Sequence, residues 1–295
     1  MIISQIVGGL GNQLFQYATA KNLSLFLDQE LYLDLNFFDS YHDPDVFRLD
    51  KYNVDYKIAD QKDIDRLKRV QATGLPAKVY RKLLKKPYYL NGRQHFDQRW
   101  LFINKWEKLR KFDDIYISGY MANPFYFHKI EHLIKKEFTL KDELNPANKK
   151  MLERIKSCES VMLHVRRGDY VNNSFFISQP VSYYQEAIEK IREHVTKPVF
   201  FVFSDDVEWT RENIHTDEEM IYCDINDGKT DFMELALMSA CRHAIIANST
   251  FSWWGAWLID NPDKMVIAPL NWYSDPKSQA IYLKRKIYQE GWQRL

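Results

Sequence analysis

The chain has 295 residues, 45% of them hydrophobic and 27% charged, with a formal net charge of +1. That is the composition of a globular protein long enough for two domains, and the balanced charge excludes a global field drawing the chain to nucleic acid. Its three cysteines, Cys158, Cys223 and Cys241, include no Cys-x-x-Cys pair, which argues against a disulfide framework or thiolate zinc site and points to a reducing compartment.

No apolar run approaches a membrane span, and Met1-Ile2-Ile3-Ser4 carries no basic leader. The expectation is a soluble, cytoplasmic chain without a signal peptide. Residues 4–7 are a short apolar run ending at Gly8-Gly9-Leu10-Gly11-Asn12. A helical apolar period over 13–27 and the strand-like Leu31-Tyr32-Leu33-Asp34-Leu35 follow. This reads as a strand, a glycine loop, a helix and a strand. The glycine loop lets backbone approach a ligand closely, or is simply a tight turn. It is neither the Gly-x-Gly-x-x-Gly fingerprint nor a P-loop, since no Lys-Ser/Thr follows.

The middle of the chain, about 36–115, is irregular. Within 68–111 there are 13 Lys or Arg against two acids, Asp97 and Glu107, with aromatics from Tyr80 to Trp106 among them. Such a mixture suits an anionic membrane surface or single-stranded nucleic acid, and equally a solvated face over a small core. Residues 115–120 read as a strand and 125–136 as an amphipathic helix. Lys141-Asp142-Glu143-Leu144-Asn145-Pro146 reads as a linker entering a helix with proline near its start.

Beyond it the pattern is regular. Strands are expected at 160–165, 199–203, 220–223, 244–247 and 265–268, with helices at about 181–194, 206–214, 230–242 and 251–260. Alternating strands and helices imply a parallel sheet covered on both faces, and ligands bind such sheets beyond the carboxyl ends of the strands. Three polar clusters fall there: His164-Val165-Arg166-Arg167-Gly168-Asp169, Ser204-Asp205-Asp206 and Asn248-Ser249-Thr250.

Adjacent guanidinium groups at a strand end match phosphate oxygens in pairs and stay charged at any working pH, or they are a surface Arg-Arg-Asp cluster in a loop. Asn248, Ser249 and Thr250 precede a helix whose free N–H groups suit a diphosphate, or they are a plain cap. Trp253, Trp254 and Trp257 read as core. Glu234, among apolar neighbours, needs partners; it could accept the two adjacent N–H donors of guanine, or form a salt bridge at the helix edge. The carboxylate pairs Asp43-Pro44-Asp45 and Asp63-Ile64-Asp65 resemble metal ligands. The first lies in a loop far from the cluster and the second reads as helix surface; Ser204-Asp205-Asp206 is better placed, but an Asp after Ser at a helix start reads more as a cap. His128 and His132 stand four apart without a third ligand. With two arginines to carry the charge, no metal is required.

Together these residues resemble the α-1,2-fucosyltransferases of glycosyltransferase family 11. The resemblance rests on Gly8-Gly9-Leu10-Gly11-Asn12-Gln13-Leu14-Phe15-Gln16-Tyr17-Ala18, on His164-Val165-Arg166-Arg167-Gly168-Asp169-Tyr170, on Phe203-Ser204-Asp205-Asp206 and on Asn248-Ser249-Thr250-Phe251-Ser252-Trp253-Trp254-Gly255-Ala256. They occur in the family's order, and the lack of a signal anchor looks like the bacterial branch. One segment departs: Gly119-Tyr120-Met121-Ala122-Asn123-Pro124-Phe125-Tyr126-Phe127 lacks the family's Gln-containing, charged stretch, so acceptor preference is not carried over.

The resemblance implies an α/β protein of GT-B type, two Rossmann-like domains facing across a cleft. The expected division is an acceptor-side domain at 1–145, carrying the basic-aromatic insertion, and a nucleotide-sugar domain at 146–295. It implies GDP-β-L-fucose as co-substrate, no cofactor or metal, and inverting transfer to the 2-hydroxyl of a terminal β-galactoside in an oligosaccharide or lipid-linked glycan. Arg166 would stabilise charge on the departing GDP; Arg167 would assist or brace the loop. His164, Asp205, Glu234, Asn248, Ser249, Thr250, Phe251, Gly9, Gly11 and Asn12 become donor-site candidates, with Glu234 for guanine. Asp169 is the candidate base, or a clamp on Arg166 or Arg167, or a cap. The stretch 68–111 would touch the anionic inner membrane face, where lipid-linked glycans are built; no nucleic acid is expected. The alternatives are a transferase using another GDP-sugar and a non-catalytic glycan- or nucleic-acid-binding protein.

Overall fold

The computed structural model describes residues 1–40, 46–69, 82, 93–284 and 286–295. The Asp43-Pro44-Asp45 pair and much of 68–111 lie outside the described residues. The chain forms two compact units. One comprises Met1–Leu49, Val54–Ala122 and Tyr126–Glu137; the other comprises Asp50–Asn53, Asn123–Phe125 and Phe138–Leu295.

The first unit is built on a five-stranded parallel sheet of order β3-β2-β1-β5-β4. Its strands are β1 (Ile2–Gln5), β2 (Leu31–Asp34), β3 (Lys57–Ile58), β4 (His95–Asp97) and β5 (Ile115–Ser118). Ile2 and Ile3 of β1 and Ile115, Tyr116 and Ile117 of β5 are wholly buried, as a central parallel strand covered on both faces requires. The helix Leu10–Leu27 follows β1 and buries Leu14, Phe15, Tyr17, Ala18 and Leu23. The order of connection reverses between β1 and β5, so the loops after these two strands flank this sheet's crevice. They are the Gly8–Asn12 loop and the segment beginning at Gly119.

The second unit carries a six-stranded parallel sheet of order β11-β10-β9-β6-β7-β8. Its strands are β6 (Glu159–Val165), β7 (Pro198–Ser204), β8 (Met220–Tyr222), β9 (His243–Ile245), β10 (Val266–Ala268) and β11 (Gln293–Arg294). Renumbered within the unit this is the 3-2-1-4-5-6 order of a doubly wound nucleotide-binding fold, with its switch point between β6 and β9. Helices Val181–His194, Val207–Asn213, Asp231–Ala240 and Thr250–Leu258 stand between the strands. The five strands expected after residue 159 all form, with ends moved by one or two residues. Pro146 begins the helix Pro146–Lys156, capped by Asn145, whose side chain accepts from the Asn148 N–H at 2.9 Å.

Two expectations are corrected. The early strand lies at Ile2–Gln5 rather than 4–7, because β1 takes its register from β2 and β5. Residues 125–136 are not one helix. The Asn123 Oδ1 accepts from the Phe125 N–H at 3.1 Å, and the turns Pro124–Tyr126 and His128–Ile130 precede a helix confined to Glu131–Glu137. An Asx turn followed by proline-led 3-10 geometry competes with helix entry there. Trp253 and Trp254 are fully buried and Trp257 nearly so. Their rings meet edge-on or stacked at 5.0–5.9 Å, which makes them the core side of their helix.

Candidate functional site

The β6/β9 switch point gathers most of the residues singled out in the sequence. Arg166 leaves the end of β6 with its side chain 35% exposed. It bonds Asp169 Oδ1 at 2.6 Å and Asp205 Oδ2 at 3.0 Å. Its charge also lies 5.5 Å from the centre of the Tyr170 ring. Both terminal nitrogens are thus held by carboxylates while the side chain stays partly exposed, so the guanidinium is pre-oriented for an anion that shares its remaining N–H donors.

Arg167 is committed differently. Its Nε bonds Asp206 at 3.0 Å, its backbone N–H bonds Asp205 at 2.8 Å, and its guanidinium lies 3.6 Å from the Trp209 ring centre. These contacts support loop bracing. Asp206 also caps Val207–Asn213 by accepting from the Trp209 N–H at 3.2 Å. Gly168 permits the tight turn, since a Cβ there would sit 2.5 Å from Asp205 Oδ2.

His164 is buried at the end of β6, and its Nδ1 has no hydrogen-bond partner among the described residues. Burial, and secondarily Arg166, lowers its pKa to about 3. The imidazole is therefore neutral at physiological pH and offers a hydrogen bond rather than a charge. Phe251 lies 6.0 Å away, ring centre to ring centre. Asn248, 1% exposed, donates from Nδ2 to the carbonyls of Ile177 and Trp272 at 2.8 and 2.9 Å. Its donors are thereby used by the fold, and only Oδ1 is left unpartnered. Ser249 is the N-cap residue of Thr250–Leu258, and its side chain makes no capping bond. The helix mouth thus presents its first N–H groups beside the Arg166 loop.

Glu234 lies in the first turn of Asp231–Ala240, and its carboxylate is in no ion pair among the described residues. Burial first, then the charges of Asp231 and Asp205, raises its pKa to about 8. The partner that an apolar setting demands is thus not supplied as an ion pair among the described residues.

Gly9, Gly11 and Asn12 belong to the first unit, so the second-unit cluster does not include them. Gly8 has φ +78°, which favours glycine, and Gly9 is the N-cap of Leu10–Leu27. Gln13 donates to the carbonyls of Gly8 and Val46 at 2.9 and 2.7 Å, and Gln16 accepts from the Val7 N–H at 2.9 Å. These buried glutamines latch the loop. Their role follows from burial, which the sequence does not display. Tyr170 and Trp209 were also without an assigned role, and no sequence periodicity marks them.

Of the other candidates, Asp63 pairs with Arg66 at 2.8 Å on the helix Gln61–Leu67, and His128 and His132 are exposed. Within the basic stretch, Lys68 pairs with Asp34 at 3.0 Å, while Arg69 and Arg110 donate to the carbonyls of His95 and Phe26 at 2.8 and 2.9 Å. Trp106 lies 6.1 Å from Phe26. A small aromatic core therefore underlies part of this face. Among the described residues no helix is long and apolar enough to cross a membrane.

Comparison with known proteins identifies the family and the fold. The whole chain, residues 1–295, matches glycosyl transferase family 11. It is 31% identical to the Escherichia coli O-antigen biosynthesis glycosyltransferase WbnK, covering 98% of each chain. It is also 31% identical to an Escherichia coli α-1,2-colitosyltransferase, covering 92% of each. A galactoside α-(1,2)-fucosyltransferase 1 from Ateles belzebuth is 31% identical over 48% of this chain and 42% of that protein. Among solved structures, NodZ α-1,6-fucosyltransferase soaked with GDP-fucose superposes with TM-score 0.54 at 13% identity, covering 90% and 94% of the two chains. POFUT1 in complex with GDP-fucose gives 0.51 at 16%, covering 90% and 96%. At such identities these structures speak for the fold, which is GT-B. The chain belongs to glycosyl transferase family 11 and is a glycosyltransferase.

Proposed function

We propose that the enzyme transfers L-fucose from GDP-β-L-fucose, with inversion and without a metal, to the 2-hydroxyl of a terminal β-galactoside. The observation that carries this reading is the half-exposed Arg166 guanidinium, pinned by Asp169 and Asp205 at the β6/β9 switch point. As the sugar–oxygen bond breaks, negative charge grows on the GDP β-phosphate. Arg166 is pre-oriented to receive it, with the Ser249 and Thr250 hydroxyls and the helix N–H groups assisting. His164 Nδ1 and the Glu234 carboxylate supply unpaired groups for the donor, Glu234 accepting from the guanine edge. Asn248 and Phe251 shape the wall beside them, and Gly9, Gly11 and Asn12 offer close backbone approach from the first unit's own crevice.

Inversion in one displacement requires attack from the face opposite GDP, with the hydroxyl proton leaving to a base or to water. Asp169, 61% exposed, is the candidate base, and its contact with Arg166 favours the clamp as its resting role. The decisive assay is mass spectrometry with GDP-fucose and a panel of β-galactosides, followed by linkage analysis. An α-1,2-fucosylated product is expected; no transfer to any member would overturn the proposal.

A second reading is favoured by the α-1,2-colitosyltransferase relative: the donor is a different GDP-activated sugar. Competition among GDP-fucose, GDP-colitose and GDP-mannose separates the two. The proposal also includes contact of residues 68–111 with an anionic membrane. Vesicle co-sedimentation should rise with phosphatidylglycerol content and fall with salt, and indifference to anionic lipid would remove this part.

A further inference from the structure

Tyr170 closes a circuit of contacts around the candidate phosphate seat, and the reading above gives it no task. Its hydroxyl donates to the Asn248 carbonyl at 3.2 Å. Its ring centre lies 5.5 Å from the Arg166 guanidinium, and the ring stacks on Phe176 at 4.6 Å with an 8° interplanar angle. Phe176 is held in turn by an antiparallel bridge to Tyr273. The residues next to that bridge, Ile177 and Trp272, are the two whose carbonyls Asn248 Nδ2 bonds at 2.8 and 2.9 Å. The path Arg166–Tyr170–Phe176–Ile177–Asn248 therefore returns to Tyr170 through the Asn248 carbonyl. Arg166 reaches its position after β6, and Asn248 reaches its own after β9. Strand pairing alone leaves the distance between two such loops soft, because loops follow their own low-energy openings.

We propose that Tyr170 is a positioning residue that fixes Arg166 relative to the Asn248–Thr250 helix mouth, so that guanidinium and helix N–H groups act on the same β-phosphate. This rests on the proposed diphosphate seat and extends it. The hydroxyl ties the Arg166 loop to the β9 side; the ring supports the guanidinium from beneath and transmits the rigidity of the Phe176–Tyr273 bridge. A seat of fixed geometry favours a ligand that reaches both halves. GDP does so with its terminal phosphate, whereas GMP carries only the phosphate nearer the nucleoside.

The test is the ratio of GMP to GDP dissociation constants, measured by titration calorimetry for wild type, Tyr170→Phe and Tyr170→Ala. Thermal melting serves as the folding control. The wild-type ratio should exceed one by at least an order of magnitude. Removing one neutral hydrogen bond in Tyr170→Phe should shrink it about threefold to tenfold. Tyr170→Ala, which also removes the ring beneath Arg166, should shrink it further, with GMP affinity little changed in either variant. Both variants should lower kcat with GDP-fucose more than they raise acceptor KM.

A wild type that binds GMP as tightly as GDP would refute the diphosphate seat itself. A wild-type preference preserved in both variants would refute the role of Tyr170 alone. So would equal weakening of GMP and GDP in Tyr170→Ala with no effect in Tyr170→Phe, which is the signature of a packing residue.

Discussion

Arg166 and Arg167 are adjacent in sequence and separate in chemistry. Arg167 is held by Asp205, Asp206 and Trp209 with its side chain 18% exposed, whereas the Arg166 side chain, held by Asp169 and Asp205, is 35% exposed. Arg166→Ala should therefore lower kcat by about 10²–10³-fold, the usual effect of removing a transition-state donor, with little change in melting temperature. Steady-state kinetics would show it, and near-normal turnover would remove Arg166 from the mechanism. Glu234 gives a prediction in pH. Its folded-state pKa, about 8, lies above the ordinary carboxylate value of 4.5, so the folded state holds a proton that the unfolded state has released. The resulting stabilisation is full below about pH 4.5 and is lost as pH rises through 8. Glu234→Gln should leave melting temperature unchanged at pH 4 and raise it at pH 9. Above about pH 7, where the terminal phosphate of GDP has already lost its second proton, GDP affinity of the wild type should increase with pH up to about 8, while the glutamine variant, lacking that ionisation, should change less. Parallel melting and titration series at several pH values test both.

Among the elements, the turn after β6 determines the site. A Cβ on Gly168 would meet Asp205 Oδ2 at 2.5 Å, the same oxygen that holds Arg166. The obstacle is the tip of a side chain, which can rotate aside. Gly168→Ala should thus cost little stability, yet raise KM for GDP-fucose several-fold as Asp205 leaves Arg166. Melting and kinetics measured side by side test the separation, and unchanged KM would contradict it. The long buried strands were legible in sequence because apolar residues run together through Val161-Met162-Leu163 of β6 and Val199-Phe200-Phe201-Val202-Phe203 of β7. The edge strands β3 and β11 were not: each has two exposed residues, too few for any period. Residues 125–136 misled because their apolar spacing is helical, while the Asn123 turn, a local hydrogen bond, overrides it. The three strand-end clusters of the site were legible for the same reason as the strands. Tyr170 and Trp209 were not, since their importance arises from rings meeting guanidinium groups across loops, which spacing does not encode.

At the scale of the whole molecule, both units are parallel α/β sheets with a switch point, and each places a sequence-marked loop there. The second unit has the complete nucleotide-binding strand order. The first has its glycine loop after β1, across its own sheet's crevice from the Gly119 segment that departs from the family pattern. Acceptor choice is expected to follow that segment, and donor choice to follow the second unit. Because a guanidinium and a helix mouth carry the leaving-group charge in this account, EDTA should leave transfer unchanged, and added Mg²⁺ or Mn²⁺ should raise it less than twofold (~0.4 kcal/mol); an EDTA-sensitive rate restored by metal would require a different leaving-group mechanism. The most direct measurement is a crystal structure of the enzyme with GDP. The account predicts a β-phosphate oxygen within hydrogen-bond distance of the Arg166 guanidinium and of the backbone N–H groups at Ser249–Phe251, whereas a diphosphate bound away from both would contradict it.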